Sequence, residues 1–450
     1  MSDITKGMEY IIKIESVSSD GSGVAHIDGF TVFVPQTVTG DTVKIKIENV
    51  QKRFARAKLV EIIEPSANRQ EADCPYYEQC GGCQLRHIKY EKQLEIKHLT
   101  VENAMKRIGG FNNFCIDEVY GANNTERYRN KMIFPVGQKN NKIVCGFYAQ
   151  KSHDIIPLCD CSLGDGINSA IINTVLDYMN DNNIAPYNEH THKGTIRRIF
   201  TRKSFSSNEF MVVISATVKT LPRYENLIQQ LQNISDRIVS VILNVNTGNM
   251  PLGNKNITLW GKNTLSDTLC GVTFSISPNS FFQVNPEQTK KLYRKTLEFA
   301  QIDKNTSVMD IYCGIGTISL CAAQTAKNVI GIEIVKQAIT DAKENAAING
   351  ITNTEFYADS AENIVPKLIA NGKTADVVIL DPPRKGSDEK TLSAIIKSNA
   401  KHIVYVSCNP ATLARDARLL ADSGYTVTHS AIFDLFPHTV HIETVVLFER

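Results

Sequence analysis

Between residues 8 and 64 apolar and polar positions alternate in short runs, broken by glycine, aspartate and proline. MEYIIKIESV, GSGVAHIDGFTVFVP and DTVKIKIENVQKRFARAKLVEII read as half-buried antiparallel strands, and together they predict a small β-barrel. From Tyr90 to Ile108 the apolar spacing becomes helical and stops at Gly109-Gly110. Residues 115 to 280 mix short strands with a helix around INSAIINTVLDYM, which suits an α+β unit. Beyond about residue 285 the pattern changes again. Asn285-Pro286 is a helix start, with asparagine as cap and proline at the first helical position. VMDIY, NVIGIEI, TEFYAD, DVVILD, HIVYVSC, YTVTHSAIFDLF and HIETVVLFER then follow as strands with helical segments between most of them. That alternation predicts a doubly wound α/β sheet. A chain of 450 residues is long enough for three such units, spanning 1–65, 66–280 and 281–450.

Composition adds exclusions. With 42% hydrophobic and 21% charged residues the chain reads as globular. No apolar run reaches the roughly 18 residues of a membrane span. The opening MSDITKGMEYIIKI lacks a signal-peptide core, so the cytoplasm is the expected compartment. A net charge of +2 gives no global field for nucleic acid, so any binding must come from local patches. Two basic strips qualify. Lys52, Arg53, Arg56 and Lys58 surround Phe54, which suits either a phosphate-and-base surface or a solvated edge strand. Lys193, Arg197, Arg198, Arg202 and Lys203 lie in a stretch, 190 to 204, that holds no acid.

The last unit carries most of the chemistry. SVMDIYCGIGT, residues 307 to 317, is an apolar strand running into a Gly314-x-Gly316 turn and a helix, and Glu333 ends the next strand. Glycines there admit a ligand close to the backbone, and an acid at that separation suits the hydroxyls of a ribose. The third glycine of a dinucleotide fingerprint is missing, which favours S-adenosylmethionine over NAD in a Rossmann-like site; the bland alternative is a tight turn alone. Asp381-Pro382-Pro383-Arg384 ends the apolar strand DVVIL, and two prolines force the chain out at the carboxyl edge of the sheet. Enzymes that methylate exocyclic amines generally carry an aromatic residue after Asp-Pro-Pro. Here Arg384 stands in that place, which argues against an amine target.

Cys408 begins a loop at the same edge, followed by Asn409-Pro410. An isolated cysteine is usually an inert small hydrophobe. Carbon 5 of uracil supplies a reason for a thiol, because it becomes nucleophilic only after a thiolate adds at carbon 6. A base must later remove the carbon-5 proton. Glu443, with His438 and His441 close by in DLFPHTVHIETVVLF, is the candidate; otherwise it is a solvated strand residue.

Eleven cysteines in a reducing compartment need a role other than disulfides. Cys74-x5-Cys80-Gly-Gly-Cys83 is a loop suited to wrap a metal or a cluster. A fourth thiolate would come from Cys159 or Cys161, and spacing alone leaves zinc as a rival to an iron–sulfur cluster.

CGIG, DPPR, VYVSCNP and DLFPHTVHIETV, with YRNKMIF (128–134) and SFFQVN (280–285), make the whole chain resemble the RNA uracil-5-methyltransferases, in particular the branch acting on 23S ribosomal RNA. The resemblance implies Cys408 as nucleophile and Glu443 as proton acceptor, with Gln283, Tyr312, Glu333 and Asp381 around S-adenosylmethionine beside Gly314 and Gly316. It implies an OB-like TRAM barrel at the N-terminus. It also implies a [4Fe-4S] cluster on Cys74, Cys80, Cys83 and Cys161 that orders the middle unit, and packing of the helix at 90–108 on the catalytic domain. The expected substrate is an unpaired or flipped uridine of 23S rRNA met by a monomer, with Phe281 and Phe282 as stacking platform or as plain core. Transfer RNA is the nearest alternative substrate. A non-catalytic RNA-binding scaffold and a methyltransferase acting on nitrogen are the other rivals.

Overall fold

The computed structural model describes residues 4–150, 152–158 and 160–450. Six strands between Glu9 and Glu64 form the first sheet. Period-two patterning builds it: along Thr42–Val50, Val43, Ile45 and Ile47 turn inward while Lys46 and Glu48 face water. Ile14, Val32, Val34 and Ala55 complete the small core. Each fully buried aliphatic side chain of this size contributes roughly 1.5–3 kcal/mol. On the outside Phe33 and Phe54 meet edge to face, 5.5 Å between centroids, and the Arg56 guanidinium lies within 6 Å of both rings. The first basic strip is therefore an exposed cationic and aromatic surface.

The second strip is not. Ile196–Lys203 is an interior strand of a seven-stranded sheet, hydrogen-bonded on both sides, and the helices Ile167–Asp181 and Tyr224–Ile234 pack into its core. Arg197 and Arg202 are buried. Arg197 pairs with Glu189 at 2.7 Å and lies over the Tyr187 ring, and Lys203 pairs with Asp165 at 2.9 Å. The neutralising acids come from outside residues 190–204, so the strip looked bare only in sequence. Lys193 alone of the five is exposed.

The third sheet has eight strands. In spatial order they are Thr354–Ala358, Asn328–Glu333, Ser307–Ile311, Val377–Leu380, His402–Ser407, Glu443–Glu449, Thr426–Phe433 and Glu118–Tyr120. The first five run parallel, and Glu443–Glu449 returns antiparallel. Strand order reverses between Ser307–Ile311 and Val377–Leu380, which opens a crevice at their carboxyl ends. Every strand expected from sequence after residue 285 is present here.

Earlier segments also enter this lobe. Helix Tyr90–Arg107 buries Val101 and Met105 in one core with Leu413 and Ala414 of helix Pro410–Asp422. The hairpin Leu265–Leu269 and Val272–Ile276 places Phe274 and Ile276 in the core beneath the glycine turn. Among the described residues, no helix is long and apolar enough to cross a membrane.

Candidate active site

A cavity of about 630 Å³ opens at the carboxyl ends of the parallel strands. Gln283, Tyr312, Gly314, Glu333, Asp381, Cys408 and Glu443 all line it. Gly316 does not line it. Gly316 has φ +80° and lies behind the turn, where a Cβ would come within 3.3 Å of Ala342 and Phe356. Its task is the left-handed turn and the close packing of the following helix. Tyr312 also has a positive φ, +73°, held by its backbone N–H donating to the Ile332 carbonyl at 2.8 Å. The Tyr312 hydroxyl lies 3.0 Å from Ser387 Oγ.

Glu333 is positioned by two backbone donors on its own side of the crevice. Its carboxylate accepts from the Gly314 N–H at 3.3 Å and the Val335 N–H at 2.9 Å. Asn130 ties two distant motifs together: its N–H and side-chain amide donate to the Val284 and Gln283 carbonyls, each at 2.8 Å. YRNKMIF thereby fixes SFFQVN on the cavity wall. Asn285 caps the helix Pro286–Phe299 as the sequence pattern indicates. The two phenylalanines divide. Phe282 is buried against Phe274 and is core, whereas Phe281 is 65% exposed at the cavity.

The nucleophile candidate and the base candidate are brought together by register. His402–Ser407 pairs antiparallel with Glu443–Glu449, ending on Ser407 opposite Thr444. The next residues are Cys408 and Glu443. Asn409 caps the helix Pro410–Asp422 with its side chain and also donates to the Arg384 carbonyl at 2.9 Å, so DPPR and the cysteine loop share one hydrogen-bonded edge.

Burial sets the electrostatics. Burial pushes the Cys408 thiol up to about 11, with Glu443 and Asp381 adding and Arg384 opposing. Glu443 is pushed well above the usual carboxylate range by burial and then by Asp381. Asp381 is raised to about 7 by burial, with Asp310 adding. Three acidic groups thus compete for negative charge in one pocket, and a carboxyl group with a raised pKa is a stronger base once ionised.

Two contributors to the site stood out less in sequence. Asp310 is raised to about 6 by burial and accepts from Ser319 Oγ at 2.5 Å. An acid inside the apolar run VMDIY was its only signal. His441 lines the cavity within 3.2 Å of the Arg384 guanidinium, and burial followed by that cation lowers its ring to about 4.

A second cavity, about 290 Å³, collects Cys74, Cys80, Cys83 and Cys161 with Arg86 and Arg129. The thiols sense one another: Cys83 is pushed to about 12 by burial, opposed by Arg86 and then raised further by Cys161, Cys80 and Cys74. Burial thus favours the neutral thiol, and these groups would ionise only against a bound cation. Among the described residues no three His, Cys, Asp or Glu side chains converge as a single ion would require. Cys159 lies outside the described residues.

Comparison with known proteins places the chain in a family. The family described as tRNA (Uracil-5-)-methyltransferase matches residues 89–450, and the TRAM domain matches residues 4–60. An uncharacterized RNA methyltransferase of Halalkalibacterium halodurans is 42% identical over 97% of this chain and 96% of its own length. Another, from Bacillus cereus, is 43% identical over 98% and 96%. Among solved structures, Pyrococcus abyssi tRNA (uracil-54, C5)-methyltransferase in complex with S-adenosyl-L-homocysteine superposes with a TM-score of 0.77, at 27% identity, covering 98% of this chain and 100% of that one. With a family match across most of its length and relatives of this identity end to end, the chain belongs to the tRNA (uracil-5-)-methyltransferase family of RNA methyltransferases.

Proposed function

We propose that this protein methylates carbon 5 of a uridine in 23S ribosomal RNA through a covalent bond between Cys408 and carbon 6 of the base. The observation that carries the chemistry is the register that sets Cys408 beside Glu443 in a cavity shared with Asp381 and the Gly314 turn, while the 23S rRNA substrate rests on the resemblance of the sequence motifs. S-adenosylmethionine, when bound, supplies an electrophilic methyl group, and Gln283, Tyr312, Glu333 and Asp381 are the residues that would hold it, beside Gly314 with Gly316 behind the turn.

In this reading the Cys408 thiol loses its proton to solvent and the thiolate adds to carbon 6. Negative charge then moves from sulfur to the carbonyl oxygen on carbon 4 as the double bond between carbons 5 and 6 opens. That relieves the competition between the two groups and leaves the Glu443 carboxylate free to ionise. Carbon 5, now nucleophilic, takes the methyl group. Glu443 removes the proton from carbon 5, the double bond re-forms, and the Cys408 thiolate leaves. The cavity must receive an unstacked base, and Phe281 at its mouth offers a face for stacking, worth roughly 1–3 kcal/mol per base.

Cys74, Cys80, Cys83 and Cys161 are the residues that would hold a [4Fe-4S] cluster, whose role is to order the loops around it. The methylation is redox-neutral and asks for no electron. The TRAM-like barrel to residue 65 is assigned to RNA, the middle unit to the cluster and to RNA beyond its buried basic strip, and residues 90–120, the hairpin at 265–276 and residues 281–450 to catalysis.

Transfer RNA is the second reading, because the Pyrococcus abyssi neighbour acts on a tRNA uracil. Its superposition extends over 98% of this chain, so the N-terminal barrel does not separate the two substrates. Incubation of the protein with labelled cofactor and either unmodified 23S rRNA or unmodified tRNA decides between them. Label in 5-methyluridine of rRNA alone supports the proposal. Label in tRNA alone replaces it with the second reading, and label surviving Cys408→Ala removes the covalent mechanism.

A further inference from the structure

The loop between Phe433 and Glu443 carries Phe436, His441 and Glu443 into the catalytic cavity. His438, in the middle of that loop, does not reach the cavity. It points the other way and has φ +68°, a left-handed conformation that is costly for a residue with a Cβ. Such a backbone persists only where its surroundings over-determine it. Here they do. The His438 N–H donates to Gln93 Oε1 and its carbonyl accepts from the Leu85 N–H, both at 2.9 Å. The Gln93 amide meets Nδ1 at 3.3 Å, and Nε2 lies 3.1 Å from Glu126. With Nδ1 accepting, Nε2 carries the hydrogen and donates it to the Glu126 carboxylate.

Glu126 has a second attachment. Arg86, buried, reaches it at 2.6 Å, and Arg86 is three residues from Cys83 and lines the cysteine cavity. Ser162, next to Cys161, also hydrogen-bonds Glu126. The adjoining backbone is laced to the same loop: the Arg127 N–H donates to the Ser162 carbonyl at 2.7 Å and the Arg129 N–H to the Leu163 carbonyl at 2.9 Å. One carboxylate therefore joins the two halves of the cysteine cavity to the turn that presents the base.

We propose that Glu126 is a positioning residue that couples the occupancy of the four-cysteine cavity to the placement of Glu443 and His441, through the chain Arg86–Glu126–His438. This rests on the reading of Cys74, Cys80, Cys83 and Cys161 as cluster ligands and of Glu443 as the base. When the cavity is filled, the loops bearing Cys83 and Cys161 are drawn together and hold Arg86 and Ser162 on Glu126. When it is emptied, those loops part, Glu126 loses its backing, and the left-handed turn at His438 relaxes. The step that suffers is proton removal from carbon 5. The barrel surface and the strand that ends at Cys408 lie outside this turn, so RNA binding and thiolate addition are expected to suffer less.

The test uses the full-length, iron-loaded protein, the same protein after oxidative removal of iron in the presence of a chelator, and the variants Glu126→Ala and Glu126→Gln in both states. Amide hydrogen exchange across 434–443 is the readout that does not need activity, with the helix 410–422 as internal control. Glu126→Ala is expected to keep its iron, to exchange roughly tenfold faster or more at 434–443, and to leave the control helix unchanged. Its kcat for RNA should fall by a similar factor with KM nearly constant, and a denaturation-resistant Cys408–RNA adduct should accumulate. Stripping iron from wild type should give the same signature, and stripping it from Glu126→Ala should add little, since the two changes act on one hydrogen-bonded chain. Glu126→Gln can still accept from Nε2–H and should restore most of the protection.

An unchanged exchange rate at 434–443 in Glu126→Ala overturns the proposal. So does loss of iron from that variant, which would make Glu126 a support of the cavity alone, or an equal effect of stripping in wild type and variant. If the exchange pattern holds but no iron-loaded protein methylates a uridine, the reading of function falls and the coupling stands.

Discussion

Cys408 leaves its strand directly opposite the point where Glu443 enters its own, because Ser407 and Thr444 are the last paired residues of an antiparallel ladder. The two candidates are 35 positions apart in sequence, yet the ladder leaves no freedom in how they face. A one-residue slip would turn Glu443 to the other face of the sheet. The buried run Thr444–Phe448 holds the register against such a slip.

This arrangement separates the roles of the two side chains. Cys408→Ala is expected to lower methylation by roughly 10⁴-fold or more, since a methyl side chain offers no nucleophile for the covalent step. Glu443→Gln should still form the bond to RNA and fail to release it. A protein–RNA band that survives denaturation, present in Glu443→Gln and absent in Cys408→Ala, is the expected gel result. Free turnover by either variant would contradict the assignment.

The pH profile follows from the directions of the shifts. The Cys408 thiol, pushed to about 11, is mostly protonated at neutral pH, and each unit of pH raises its thiolate fraction roughly tenfold. Glu443 must be ionised to accept a proton, and its pKa lies well above the usual range, so its active form also grows with pH. His441, lowered to about 4, stays neutral throughout and contributes no opposing limb. Single-turnover kcat/KM should therefore rise from pH 6 to 9, and a flat profile would mean that neither shift persists with RNA bound.

Lys97 and Asp434 form an ion pair at 2.6 Å with both groups out of water. Asp434 also accepts from the Tyr90 hydroxyl at 2.9 Å, so helix Tyr90–Arg107 is fastened to the start of the Glu443 loop. Lys97→Met leaves that carboxylate buried without its cation, which costs about 3–5 kcal/mol. Replacing both residues with apolar ones should cost less than the single change. Urea unfolding of the single and double variants measures the difference.

The two basic strips should behave differently toward RNA. Neutralising Lys52, Arg53, Arg56 and Lys58 on the barrel should weaken binding and lower the salt slope by about 1 for each phosphate no longer neutralised. Arg197→Met should leave the salt slope intact and lower stability, because Arg197 is committed to Glu189 and the Gly248 carbonyl. Binding titrations at several salt concentrations distinguish the two outcomes.

Much of the site is legible in the chain itself. Glycine turns, prolines at strand ends and an asparagine cap act over a few residues, and the strand order that assembles them follows from alternating strand and helix. Gly314, Glu333, Asp381 and Cys408 each sit at a strand end and so fall on one edge of the sheet. Less is legible where a side chain's environment comes from far along the chain. Arg202 and Phe282 carry the same local signals as Arg56 and Phe281, yet the first two are buried and the second two line surfaces.

What the sequence determined alone was the local chemistry: barrel strands from period-two alternation, the doubly wound sheet, and residue types apt for a thiolate addition. These depend on propensity and spacing, which are short-range properties. What only the tertiary structure decided was which charges are neutralised, which aromatics meet solvent, and that Glu126 and His438 stand between the cysteine cavity and the base. Those depend on long-range packing, where burial multiplies the value of each charge and hydrogen bond and no pattern in the chain records the partner.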